Sequence, residues 1–74
     1  ENSNIRKDKE NMVNINKATQ TELETLQGIG PSLATRIIEY REENGKFNSI
    51  EDIKNVSGIG ENKYEAIKDK ISVK

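Results

Sequence analysis

Leu26-Gln27-Gly28-Ile29-Gly30-Pro31-Ser32-Leu33 decides how this chain is read, because Val56-Ser57-Gly58-Ile59-Gly60-Glu61-Asn62-Lys63 answers it thirty positions later. The agreement extends outward from the two Gly-Ile-Gly turns at the same offset. Thr19 matches Ser49, Glu22 matches Asp52, Leu23 matches Ile53, Leu26 matches Val56, and Ile37 matches Ile67. A lone glycine turn joins helices in many folds. Two at constant spacing, each with aliphatic residues two and five positions before the first glycine, describe one structural unit present twice.

Each unit reads as helix, tight turn, helix. Val13 to Ala18 alternates apolar and polar residues, and Thr19 with Glu22 then forms a capping box, in which threonine accepts the backbone N–H three residues on and glutamate reaches back. Helix one is expected over Gln20 to Gln27, with Leu23 and Leu26 facing inward. Gly28 ends it by adopting backbone angles that other residues avoid. Pro31 suits the first turn of a helix, where its missing N–H is not needed. Helix two is expected over Pro31 to Asn44, with Leu33, Ala34, Ile37, Ile38, Tyr40 and Arg41 as its packing stripe and Gly45 as its stop. Phe47 should plug the seam between the units, beside a second capping signal at Ser49 and Asp52. Helix three is expected over Ile50 to Asn55 and helix four over Glu61 to Ile71, with Tyr64, Ile67 and Ile71 on one face. No strand is required. The fold class is all-α: four to five short helices in two related halves over 13–74, preceded by a disordered tail or linker over 1–12 with Arg6, Lys7 and Lys9 as a potential basic arm.

Composition narrows the function. Seventy-four residues allow one small domain, and 31% hydrophobic against 34% charged residues leaves its stability to a few well-placed apolar side chains. Cysteine and histidine are both absent, which removes disulfides, zinc sites of the usual kind, thiol nucleophiles and the customary general base near neutral pH. No catalytic activity, cofactor or small-molecule substrate is expected. The longest aliphatic step inside a helix is Ile37-Ile38, so no segment is expected to span a membrane. The chain opens on Glu1 without an initiator methionine, as expected of a processed protein or a piece of a longer one, and no signal peptide is legible.

The turns themselves carry chemistry. Where the chain bends at Gly28 and Gly30, the N–H groups of Gly28, Gly30, Ser32 and Leu33 gather near a helix N-terminus, where peptide dipoles favour an anion. Ser32 adds a hydroxyl, and Thr35 or Arg36 can reach the same or an adjoining phosphate. The second turn offers the N–H groups of Gly58 and Gly60, then Asn62 and Lys63, with Lys63 as its clearest cation and Glu61 as an opposing charge. Lys68, Lys70 and Lys74 give the last helix a basic side, of which Lys68 is the leading candidate, and Lys17 is a candidate beside helix one. The bland alternative is that the glycines merely terminate helices and Ser32 caps the next one. Ile29 and Ile59 either lock the turns into the core or graze a groove. Asn16 is expected to order the entry into helix one through local side-chain to backbone bonds. A net charge of −1 is low for a nucleic-acid binder, yet backbone donors do not enter a charge count.

These residues resemble the helix-hairpin-helix superfamily, in which two such motifs joined by a connecting helix form the (HhH)2 fold with pseudo-two-fold symmetry. The resemblance covers Val13 to Lys74. The Val13-Asn14-Ile15-Asn16-Lys17-Ala18 lead-in and the Tyr40-Arg41-Glu42-Glu43-Asn44-Gly45-Lys46-Phe47 connector narrow it to the C-terminal domain of bacterial competence DNA receptors of the ComEA type. It implies double-stranded DNA as partner, held across the minor groove. It implies a role in DNA uptake during natural transformation, near a competence pilus or translocation channel. It also implies an extracytoplasmic location, on an N-terminal membrane anchor outside this sequence. In some turns of the superfamily backbone carbonyls hold a monovalent cation that completes the phosphate contact. A protein-interaction module and the DNA-holding part of a larger repair protein are the competing expectations.

Overall fold

A turn and a capping box start the fold. The computed structural model describes residues 12–74, so the expected tail lies outside the described residues except for Met12. After strand β1 (Val13–Asn14), the Asn14 carbonyl accepts from Lys17 N and Ala18 N at 3.0 and 2.8 Å, while Asn14 Oδ1 accepts from Asn16 N at 2.9 Å. Helix α1 (Gln20–Glu24) then begins at Thr19. Thr19 Oγ1 accepts from Glu22 N at 3.2 Å, and Glu22 Oε1 accepts from Thr19 N at 3.0 Å. The helix is shorter than expected. Thr25 Oγ1 donates back to the Glu22 carbonyl at 2.6 Å and Leu26 N bonds Leu23 O, three residues back, so the chain tightens before Gly28 is reached.

Helix α2 (Pro31–Asn44) has the expected limits, with Pro31 at its first position. Gly45 closes it at φ +89°, its N–H donating to Arg41 O at 3.0 Å. Phe47 folds back so that its ring stacks on Tyr40, centroids 5.3 Å apart. Ile50–Asn55 has the expected limits but is a 3-10 helix, started by Asp52 Oδ2 accepting from Asn48 N and Ser49 N. Helix α3 (Glu61–Ile67) stops short of the expected end at Ile71. A 3-10 turn, Lys68–Lys70, follows it, and then strand β2 (Ile71–Ser72).

The strands correct the expectation that none is needed. β2 pairs in parallel with β1, Val13 opposite Ile71 and Asn14 opposite Ser72, and Ile15 N donates to Ser72 O at 2.9 Å. The partner of Ile71 stands at the other end of the chain, which no local pattern reveals. Apart from this two-residue pair, the described fold is helical.

The repeat is a repeat of burial. Leu23 and Ile53, Leu26 and Val56, Ile29 and Ile59, Ala34 and Tyr64, and Ile37 and Ile67 are all buried, so equivalent positions of the two units fill one shared core, which Ile15, Ala18, Phe47 and Ile71 complete. Each large aliphatic among them contributes roughly 1.5–3 kcal/mol by leaving water. Ile29 and Ile59 lock the turns inward.

Two polar side chains bind the lead-in to this core. Arg41 donates from Nη1 to Ile15 O at 2.9 Å and from Nη2 to Ala18 O at 2.8 Å. Asn16 does not order the entry to α1, as expected from sequence; Asn14 does that. The Asn16 amide spans the fold instead, donating to Phe47 O and Val73 O, both at 3.0 Å, and accepting from Phe47 N at 2.6 Å. No described helix is long and apolar enough to cross a membrane.

Candidate nucleic-acid interface

The two turns are built alike. Gly28 and Gly58 take φ of +82° and +94°, the left-handed region that favours glycine. Ile29 N donates to Leu26 O at 3.1 Å and Ile59 N to Val56 O at 3.0 Å, closing each turn around its buried isoleucine. Gly30 and Gly60 are different. Their φ values of −98° and −104° belong to extended backbone that any residue adopts, and a Cβ at either would meet nothing within 4 Å. Each is the residue at which the following helix begins.

The first-turn donors are bare. Ala34 N and Tyr64 N donate to Gly30 O and Gly60 O at 2.9 and 3.0 Å. Among the described residues, the N–H groups of Gly28, Gly30, Ser32 and Leu33, and of their counterparts Gly58, Gly60, Asn62 and Lys63, have no protein acceptor. The N-cap of α2 is Gly30, which makes no side-chain cap bond, and Ser32 is exposed in its first turn. Ser32, Thr35 and Arg36 share one shallow groove with Pro31 and Glu39 on α2. Asn62 is exposed at the start of α3.

The cations are arranged otherwise than their order along the chain implies. Lys63, assigned from sequence to the second turn, reaches back so that its Nζ stands 3.8 Å from the place a Cβ would take at Gly28. Arg36, assigned to the first turn, donates from Nη1 to Ser57 O at 3.3 Å and stands 3.0 Å from the place of a Cβ at Gly58. Leu33 does the same from the position equivalent to Lys63, its Cδ2 falling 2.7 Å from that Cβ. The third residue of each hairpin helix therefore touches the turn of the other unit.

Glu61 is engaged rather than free. Lys54 Nζ lies 3.1 Å from its Oε1 and 4.8 Å from the Tyr64 ring centroid, and the Glu61 carboxylate holds the Lys54 ammonium above its usual pKa. Lys68 is tied to Glu65 at 2.9 Å; the pair raises the lysine pKa and lowers that of the carboxyl. Lys17 is exposed along α1 in a groove shared with Asn14, Glu22 and Thr25. Through Val13 and Thr25 that groove adjoins one lined by Leu26, Gln27, Ala66 and Lys70. Lys70, in the 3-10 turn after α3, lines that groove beside Leu26 and Gln27, just ahead of the first turn.

Side-chain cations stand close to both turns. At the second turn Ser57 O already accepts from a guanidinium, and at the first an ammonium stands beside Gly28. Side chains supply positive charge at both places. Among the described residues no group of three or more carboxylate, His or Cys ligands is placed to hold a metal ion.

A helix-hairpin-helix motif model matches residues 8–72, nearly the whole chain. The chain belongs to the helix-hairpin-helix family. It is 60% identical over 63 residues to ComE operon protein 1 of Bacillus subtilis, a match covering 85% of this chain and 31% of that protein. It is 48% identical over 71 residues to endonuclease/exonuclease/phosphatase family domain-containing protein 1 of Danio rerio, covering 96% of this chain and 13% of the relative. An uncharacterized protein of Haemophilus influenzae is 42% identical over 60 residues, which is 54% of its length. The chain therefore spans less than a third of the first of these relatives and about an eighth of the second. Helix-hairpin-helix units of this kind thus occur inside proteins of quite different size.

Proposed function

We propose that this chain binds double-stranded DNA without regard to sequence, by holding phosphates at its two glycine turns. The contrast between its helix starts carries this reading. α1 and the 3-10 helix at Ile50 begin with side-chain oxygens folded onto backbone donors. α2 and α3 begin at glycines that have no side chain to offer, although Ser, Asp or Asn would cap slightly better and a Cβ at either place would meet nothing within 4 Å. Glycine at these two places leaves the donors free and the approach open, which is what a phosphate oxygen needs.

The residues of the interface are then Gly28, Gly30, Ser32 and Leu33 with Thr35 and Arg36, and Gly58, Gly60, Asn62 and Lys63, with Lys17 and Lys68 as flanking charges. Contacts of this type touch phosphate and sugar, so base sequence is not read. The kinship with a ComE operon protein supports a place in DNA uptake during transformation, outside the cytoplasmic membrane on an N-terminal anchor, next to a pilus or translocation channel. The chain itself acts as a binding module rather than an enzyme. The Danio rerio relative favours a second context, in which the same unit serves as the DNA-holding part of a larger protein.

Titration of the chain with unrelated duplexes, single strands and RNA at two salt concentrations tests the reading. The duplexes should bind alike and more tightly than the other two. With about 2 to 4 phosphates neutralised, log K should fall with log salt at about −0.9 per phosphate. Binding indifferent to salt contradicts it.

A further inference from the structure

We propose that the two turns exchange cations: Lys63 of α3 completes the phosphate site at the first turn, and Arg36 of α2 completes the site at the second. This rests on the phosphate-binding reading above and assigns each charge to its turn. The ammonium of Lys63 stands beside Gly28, and the Arg36 guanidinium is anchored on Ser57 O beside Gly58. Neither side chain has an ion-pair partner among the described residues, unlike Lys54 and Lys68. A guanidinium that spends one N–H on a carbonyl keeps the rest of its fork for a second acceptor. Arg36 can thus bridge the second turn to a phosphate oxygen while holding the two units together.

Glu61, at the start of the second turn's own helix, is paired with Lys54 of the same unit, while Arg36 comes from the other unit to Ser57 O. The first turn has Pro31 at the equivalent position and gains its cation from across the interface. Both turns are therefore incomplete without the other unit, and a single helix-hairpin-helix unit cut from this chain would lack half of each site.

Double-mutant cycles on the full 74-residue chain with a 20-base-pair duplex test this assignment. Gly30→Ser closes the first turn with a side-chain cap, Gly60→Ser closes the second, and Lys63→Gln and Arg36→Gln remove the charges; circular dichroism verifies that each variant stays folded. Each single change should weaken binding by about three- to tenfold. Lys63→Gln should add less than about twofold to the loss in Gly30→Ser but its full factor to Gly60→Ser, and Arg36→Gln should show the reverse. Coupling within units instead of between them, or full additivity everywhere, overturns the crossing while leaving both turns as phosphate sites. If neither serine substitution weakens binding, the phosphate reading itself fails and the crossing with it.

Discussion

Leu33 Cδ2 fills the space beside Gly58, 2.7 Å from where a Cβ would stand. That approach packs the two units together, and it makes the two left-handed glycines unequal. Gly58→Ala meets both an unfavourable φ, worth about 1–2 kcal/mol, and a collision with a half-buried leucine, worth about 1–3 kcal/mol more. Gly28→Ala meets only the first, because its neighbour is the end of a flexible lysine at ordinary contact distance. Urea denaturation should therefore show Gly58→Ala losing about 2–5 kcal/mol and Gly28→Ala about 1–2 kcal/mol.

Asn16 is the polar pin of the fold, joining the lead-in, the connector at Phe47 and the C-terminal segment at Val73. Removing it leaves a partly buried N–H and two carbonyls without partners. Asn16→Ala should cost about 2–3 kcal/mol. Native-state hydrogen exchange should show the Phe47 amide losing protection more than that of Ile37, in the middle of α2.

Lys54 holds Glu61 at 3.1 Å and thereby offsets the one carboxylate at the second turn. Lys54→Gln should weaken duplex binding severalfold, because it leaves Glu61 facing the phosphate uncompensated. Glu61→Gln should strengthen binding, and the double variant should restore at least the original affinity. If Lys54→Gln stays weak even with Glu61→Gln, lysine contacts the phosphate itself and its hold on Glu61 is incidental.

The Glu65–Lys68 pair gives a pH signature. Lys68 holds the Glu65 carboxyl below its ordinary pKa, so the pair's contribution is complete above the ordinary carboxylate range and is lost as pH falls through the lowered value. At the other end it disappears as pH rises through the raised lysine pKa. Both side chains are exposed, so the effect on stability is small. A carbon-13 titration of the Glu65 carboxyl should give a midpoint below that of the unfolded chain. Glu65→Gln should release Lys68 and steepen the salt dependence of duplex binding.

What the sequence discloses here is what is local. The capping boxes at Thr19 and Ser49 and the limits Pro31–Asn44 follow from neighbours a few residues apart and are legible, whereas the two readings open for Ile29 and Ile59 are decided only by the fold, which buries both. The ends of α1 and α3 are not legible either. The first is shortened by Thr25 bonding back to Glu22, and the second gives way to a strand whose partner is Val13. Asn16 is misread for the same reason, since its partners lie far along the chain. The turns read as a candidate site, but adjacency in sequence groups Lys63 and Arg36 each with its own turn, whereas the fold sets each beside the other one. Only the packing of the two units against each other brings Lys63 to Gly28 and Arg36 to Gly58.

If the turns hold phosphates, Gly30 and Gly60 are glycine for the sake of the phosphate and not for the fold. Duplex affinity and urea stability measured on the same Gly30→Ser/Gly60→Ser chain test it most directly. Serine supplies the missing caps, so stability should hold or rise by about 0.5 kcal/mol, while affinity falls by at least about tenfold and the salt slope by about 2. A chain that keeps its affinity with both caps closed contradicts the account.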